Sequence, residues 1–373
     1  MMKTIGILKE SNGVSVVTLT PFNVEKLKEF CTVMVEAEAG HQAGFSDEAY
    51  AMAGATIISD REQLVNEVDI LLTHSATVDF SGNKKRKVVI GSHNILDDYS
   101  RILSFQDPLV DLYSLTLLPR TTKAQSMDVL SSMAAMSGYQ AVLYGLNKLG
   151  TIAPMMSSAG GTLQPAKVLV LGAGVAGLQA IATAKRLGAI VHAFDVRKHT
   201  KSEVESLGAS FIEIVGAKED EASGGYAIEQ DEDFTTKVQE SIAAFSKEAN
   251  LIITTARIPG KPAPKLITKK MVNDMQLGSV IVDLAADTGG NCAYTENRKE
   301  HQLKNVLIIG NSTVFNTVAT STSILLGNNY FTFVKYLMSK NRMETPDEIL
   351  DGTRITANGK VVNERVIAEI NTY

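Results

Sequence analysis

Through the first 115 residues, short apolar runs alternate with amphipathic stretches, the rhythm of an α/β domain. Runs 4–8, 32–36, 69–73 and 88–91 read as strands, and 21–30, 46–53 and 61–68 as helices; Ser46, Asp47 and Glu48 supply a cap for the second helix. A polar loop over 119–128 leads into a helical span at 129–149, whose small residues (Ser131, Ala134, Ala135 and Gly138 among them) suit close packing between domains. Further β-rich runs at 167–171, 190–195, 211–215, 251–255, 279–284 and 306–309 outline a second α/β domain, and 323–339 predicts a helix returning to the first. The expected fold is α/β: two doubly wound, Rossmann-like domains with parallel sheets, joined by long helices. Residues 1–130 plus 314–373 make the first domain and 131–313 the second.

The apolar run at 167–171 breaks into glycines. Lys167-Val-Leu-Val-Leu-Gly-Ala-Gly-Val-Ala-Gly177 enters an apolar helical stretch, and the next strand ends in Asp195, 18 residues beyond Gly177. Strand, glycine turn, helix, strand and acidic residue is the order that a dinucleotide requires. Gly172 lets the chain turn, Gly174 admits the pyrophosphate beside Val175 and Ala176, and Gly177 lets the helix pack close to the sheet. A tight structural turn is the plainer reading of such glycines, but the strand, helix and distant Asp favour the nucleotide. Asp195, followed by Val196 and Arg197, is placed to accept hydrogen bonds from the adenosine ribose. A carboxylate there repels the 2′-phosphate of NADP; Arg197 could offset that charge, but it is expected to point away, which favours NAD, and Asp195, Val196 and Arg197 are all candidate cofactor-binding residues.

Loops at 255–264, 285–291 and 310–312 follow strands and are the expected wall of the site. The charged, glycine-containing stretch at 216–235 is too long for an ordinary connection and too polar for core, and reads as a mobile lid.

Composition narrows the class. A net charge of −5 with 45% hydrophobic and 21% charged residues describes a soluble globular protein and gives no sign of nucleic-acid binding. No apolar run reaches the roughly 18–20 residues of a membrane span, and charge interrupts the N-terminus too early for a signal peptide. Cys31 and Cys292 read as reduced core thiols of a cytosolic protein; with the six histidines they show no metal-ligand spacing.

The run Arg120-Thr-Thr-Lys-Ala-Gln-Ser-Met-Asp-Val-Leu-Ser-Ser132, with 172–186, 223–226, 254–264 and 281–291, resembles the NAD(H)-binding domain I of proton-translocating transhydrogenase. That family includes alanine dehydrogenase as a relative of the same two-domain fold. The resemblance spans nearly the whole chain, and the length resembles the form whose α subunit is divided. It implies direct hydride transfer between NADH held here and NADP(H) held on a β subunit, coupled by a membrane subunit to proton passage. It also implies a subunit peripheral to the cytoplasmic face of the inner (plasma) membrane; a homodimer is expected on the separate ground that nucleotide-binding α/β proteins with long exposed helices usually pair with C2 symmetry. By the same resemblance Arg120, Gln125, Asp128 and Ser131 position the nicotinamide and its ribose, and Tyr226 folds over the nucleotide. In chemical terms Gln125 can hold the carboxamide, and an Arg120–Asp128 pair can fix the loop; a solvated loop ion pair is the bland alternative.

Two other readings stand beside this one. His93 and Asp287 match the catalytic histidine and aspartate of alanine dehydrogenase, so an NAD-dependent amino-acid oxidoreductase is the alternative. Against it, Val16 and Thr73 stand where the relatives carry an Arg and a Lys able to clamp a substrate carboxylate. A non-catalytic NAD sensor is the third reading, disfavoured by the intact residues at 120–131 and 226. Arg257 stands where the family usually has an apolar residue.

Overall fold

The computed structural model describes residues 3–214, 232–258, 260–340 and 346–370. The chain divides into two compact units, Met1–Met133 with Asn316–Tyr373, and Ala134–Phe315.

In the first unit, β1 (Lys3–Ile7), β2 (Cys31–Glu36), β3 (Thr56–Ile58), β4 (Ile70–Leu72), β5 (Lys87–Gly91) and β6 (Val110–Ser114) form a sheet in the order β3-β2-β1-β4-β5-β6. Every neighbouring pair is parallel. Helices α1 (Pro21–Leu27), α2 (Asp47–Met52) and α3 (Arg61–Glu67) connect the first strands. Their starts follow local chemistry. Pro21 opens α1, Ser46 Oγ accepts the Ala49 N–H at 3.3 Å, and Asp60 caps α3 through the N–H groups of Glu62 and Gln63. β3 and β6 do not show in the hydrophobic pattern. β3 is three residues long and none of them is buried, while Asp111 interrupts the apolar run of β6.

The long helix α4 (Val129–Lys148) contains the boundary between the units. Its small residues have a use inside the second unit. A Cβ on Gly138 would lie 2.0 Å from the carbonyl oxygen of Ala176, so only glycine permits that approach.

The second unit begins with a hairpin, β7 (Met156–Ser158) and β8 (Gly161–Leu163), exposed along its length. Its main sheet uses β9 (Lys167–Leu171), β10 (Ile190–Phe194), β11 (Ser210–Phe211), β12 (Leu251–Thr254), β13 (Ser279–Asp283), β14 (Lys299–Leu303) and β15 (Val306–Gly310). The order is β11-β10-β9-β12-β13-β15-β14. Helices α5 (Val175–Arg186), α6 (Thr200–Ser206), α7 (Glu232–Glu248) and α8 (Lys269–Asp274) accompany it. β14 is an antiparallel edge on an otherwise parallel sheet, a departure from the wholly parallel expectation. β11 is shorter than the expected run at 211–215. Residues 215–231 lie outside the described residues, and with them Tyr226 and most of the stretch read as a lid.

The chain then returns to the first unit as α9 (Ala319–Ser339), α10 (Glu348–Thr353), the small pair β16 (Thr356–Ala357) and β17 (Lys360–Val361), and α11 (Glu364–Ile370). Tyr330 of α9 is fully buried and donates to the Thr73 carbonyl at 2.9 Å. Ile355 N–H donates to Leu112 of β6 at 2.8 Å, and Ile355 and Val366 share one buried cluster with Leu71, Val89 and Leu112. In both sheets the order reverses beside the first strand, at β1/β4 and at β9/β12, where doubly wound folds open a crevice at the strands' C-terminal ends.

Candidate functional site

The glycine turn of the second unit lies at such a reversal. β9 runs into Gly172, which has φ +99°, in the left-handed region open to glycine. A Cβ on Gly172 would lie 2.5 Å from Thr255 Oγ1, and one on Gly177 would lie 1.8 Å from the Gly172 carbonyl oxygen. The start of α5 is therefore pressed onto the turn. Gly174 is its N-cap, with no side-chain cap and no acidic residue in the first turn. The N–H groups around Val175 and Ala176 are thus left for an anion, aided by the helix dipole. Val175 is largely exposed there, Ala176 half-buried and Gly177 buried.

Asp195, just past β10, is buried and tied to this turn: its Oδ2 accepts the Ala173 N–H at 2.6 Å. Arg197 does not point away, as expected from sequence, but folds back onto Asp195. Its Nε lies 2.9 Å from Oδ1 and its Nη2 2.8 Å from Oδ2, with the Arg197 N–H also 2.9 Å from Oδ1. A guanidinium two residues on meets a buried carboxylate in fork geometry, and the pairing compensates charges that burial takes from water. Burial opposes ionisation of Asp195, yet the hydrogen bonds and charge of Arg197 outweigh it and hold the carboxyl below its ordinary range. Val196, between them, is half-buried and packs on the core beneath the sheet.

Two residues that the sequence pattern does not single out build the adjoining wall. Asp283, fully buried at the end of β13, accepts the N–H groups of Ala285, Asn291 and Cys292 at 3.0, 2.7 and 3.0 Å and the Thr295 hydroxyl at 2.6 Å. Asn291, also buried, accepts the Ala256 N–H at 3.1 Å and donates to the carbonyls of Ala256 and Pro264, both at 2.9 Å. The one legible signal is an acidic residue closing an apolar strand. Arg257 has a partner too, an ion pair with Asp287 that links the loops after β12 and β13.

In the first unit, the polar loop forms a short turn at Gln125–Met127, held by buried Ala124 and Met127. Gln125 and Arg120 are exposed. Asp128 is anchored locally as the cap of α4, accepting the Ser131 N–H at 2.9 Å and the Ser131 hydroxyl at 2.6 Å. Asn329 of α9 fastens the turn, donating to the Ser126 carbonyl at 3.0 Å and accepting the Ser132 hydroxyl at 2.7 Å. Sequence reading missed Asn329, because a lone amide in an apolar helix announces nothing.

The C-terminal ends of β1, β4 and β5 hold a separate polar cluster. Glu10 accepts the Thr73 hydroxyl at 3.0 Å and the N–H groups of His74 and Ser75 at 2.5 and 2.8 Å. Val16 and Thr73 are both buried. His93 is buried, its Nε2 has no hydrogen-bond partner among the described residues, and burial, reinforced by His74 and Arg101, pushes its pKa down to about 3. Cys31 and Cys292 are buried thiols, and burial raises Cys31 to about 11.

The structure thus brings Gly172, Gly174, Gly177, Asp195 and Arg197 together, and separately joins Asp128 to Ser131. The cradle that a Cβ would fill, the open helix start and the acidic strand end fit a dinucleotide.

Known proteins share this chain's sequence pattern and fold. The N-terminal domain of the family described as alanine dehydrogenase/PNT matches residues 6–137, and its C-terminal domain matches residues 141–364. The first part of the divided NAD(P) transhydrogenase subunit alpha of Rhodospirillum rubrum is 40% identical over 374 residues, covering 96% of this chain and 97% of that one. The crystal structure of transhydrogenase from Sinorhizobium meliloti superposes with a TM-score of 0.86 at 36% identity, covering 96% of this chain and all of that one. The alanine dehydrogenase of Mycolicibacterium smegmatis is more distant, 26% identical over 374 residues that cover 95% of this chain and 93% of that one. The chain therefore belongs to the alanine dehydrogenase/PNT family, in its transhydrogenase α-subunit branch.

Proposed function

We propose that this chain is the NAD(H)-binding α subunit of a proton-translocating transhydrogenase. It holds NAD(H) while hydride passes directly to or from NADP(H) on a partner β subunit, and a membrane subunit couples that transfer to proton translocation. The observation that carries the reading is Asp195 hydrogen-bonded to the glycine turn at the open start of α5, in a chain matched nearly end to end by a transhydrogenase α subunit.

Bound NAD(H) supplies the hydride-carrying ring. The N–H groups after Gly174 neutralise the pyrophosphate, and Asp195 accepts from the adenosine ribose. Gln125, by its side-chain amide, orients the nicotinamide carboxamide. Ser131 meets the adjoining ribose, and Asp128 holds Ser131 in place; Arg120 belongs to the same loop. Tyr226 covers the nucleotide in this reading, though it lies outside the described residues. No acid or base is assigned, because hydride transfer between two nicotinamides requires alignment and exclusion of water rather than proton movement at the ring.

In this reading the subunit lies peripheral to the cytoplasmic face of the inner membrane; among the described residues no helix is long and apolar enough to cross a membrane. Pairing as a C2 homodimer is supported by the exposed β7–β8 hairpin, where Met155, Met156 and Leu163 offer apolar surface. The decisive experiment mixes this chain with an NADP(H)-binding β subunit and follows transfer from NADH to an NADP analogue in a single turnover. Saturable NADH binding without any transfer would leave only a sensor.

Amino-acid dehydrogenation is the alternative. Val16 offers no charge, and the Thr73 hydroxyl is given to Glu10, so this edge of the first sheet presents a carboxylate rather than a cationic clamp. Alanine with NAD should therefore yield no NADH. Steady formation of NADH in that assay would restore the alternative.

A further inference from the structure

Asp195 is fully engaged before any nucleotide arrives. Its oxygens accept from the backbone of Ala173 and Arg197 and from both arms of the Arg197 fork. Ribose hydroxyls that bond to this carboxylate must displace or share one of those donors. The two backbone donors are held by the turn and the strand end. The guanidinium stands on a flexible stem, with its side chain 19% exposed against 5% for Asp195, so it is the partner that yields. It does not have far to go, since its Nη2 already lies 3.7 Å from where a Cβ on Gly174 would be, beside the phosphate-binding turn.

Resting on the NAD(H) reading above, we propose that Arg197 is a latent ligand for a nucleotide 2′-phosphate, held off by Asp195, and that the pair rather than Asp195 alone sets the choice between NAD(H) and NADP(H). A 2′-phosphate entering beside the ribose meets a negative carboxylate and, about 3 Å from it, a positive fork of the shape that binds phosphate bidentately. While the two are joined, the fork is spent on Asp195. The negative charge of Glu203 adds a smaller attraction on the same guanidinium. Removing the Asp195 charge takes from the fork the carboxylate it grips most closely among the described residues, and removing the fork leaves that carboxylate to repel with its guanidinium partner gone.

Calorimetric titration of the whole chain with adenosine 2′,5′-bisphosphate and with 5′-AMP isolates the 2′-phosphate. Asp195→Asn should raise affinity for the bisphosphate relative to 5′-AMP by about tenfold or more, as a charge-assisted fork contact predicts. In an Arg197→Ala background the same change should give less than about a threefold gain, since relief of repulsion alone is left. Equal gains with and without Arg197, or no gain in either, overturn the proposal. If Asp195→Asn does not fold, Arg197→Ala and Arg197→Lys decide: the bisphosphate should lose ground to 5′-AMP in the first and recover part of it in the second. An unchanged ratio overturns the proposal. NADH is titrated into the unmodified chain alongside. Failure to bind NADH sinks the NAD(H) reading itself, whereas tight NADH binding with equal gains sinks only the role of Arg197.

Discussion

Gln125 stands exposed between two buried anchors, Ala124 and Met127, so its side chain is free to act while its backbone is held. Shortening it to Asn retracts the amide by one methylene and leaves its chemistry intact. A misplacement of about 1 Å costs on the order of a hundredfold in a hydride transfer that needs near contact. Single-turnover transfer with the β subunit should fall by tens- to a hundredfold, order of magnitude only, with NADH affinity changed far less. An unaltered rate would remove Gln125 from the positioning role. His93 makes a pH prediction. In the fold its pKa drops from 6.5 to about 3, so above pH 6.5 the imidazole is neutral in both folded and unfolded chains and has no effect on stability. Below that the unfolded chain takes up the proton and the folded chain refuses it. Stability is then lost at about 1.4 kcal/mol per pH unit until pH approaches the folded value. His74 is shifted in the same direction, also by burial first, and adds to the loss. Urea midpoints compared at pH 7 and pH 5 should show a smaller drop for His93→Gln than for the unmodified chain. Equal drops would mean that another group governs the acid limb.

At the scale of elements, the second unit hangs its loops on strand ends. Asp283 gathers three N–H groups and a hydroxyl, and its replacement by Ala strands those donors in a buried place. Each unsatisfied donor costs on the order of 1–3 kcal/mol before relaxation. Asp283→Ala should therefore destabilise the chain by at least about 2–3 kcal/mol by denaturant unfolding and weaken NADH binding. A loss under about 0.5 kcal/mol, the level of an ordinary surface change, would refute the anchoring role. Elements governed by local chemistry were legible: the cap at Ser46, Pro21 at a helix start, and the β9–α5–β10 fingerprint all appear where their residues place them. β6 was not legible, because Asp111, its second residue, looks like a loop residue. In the strand, paired with β5, its buried carboxylate is reached by Arg86 and Arg354 at 3.1 and 3.2 Å.

Arg354 introduces the scale of the whole molecule, since it arrives from more than 240 residues away to pair with β6. The returning segment contributes Ile355 and Val366 to the first unit's buried cluster and a backbone bond to Leu112. Removing the chain from residue 346 onward should expose that cluster and leave Asp111 with one cation fewer. Hydrogen exchange in Val110–Ser114 should then rise sharply, while Lys167–Leu171 in the other unit keeps its protection. Unchanged exchange in β6 would show that the returning segment is dispensable.

By itself the sequence determined whatever rests on periodicity, turn chemistry or near neighbours: two α/β units, the glycine turn, the acidic strand end and the polar loop at 119–128 that leads into α4. Spacing carries those because a strand, a helix start and a glycine bend each obey rules within a few residues. Tertiary structure alone decided what buried charge would do. It folded Arg197 onto Asp195, gave Thr73 to Glu10 and made a strand of the run around Asp111. A charged side chain on its own reads as solvated. Where it goes depends on how deeply the fold buries it and on which opposite charge or donor distant chain brings within about 3 Å, and neither is written in the local pattern.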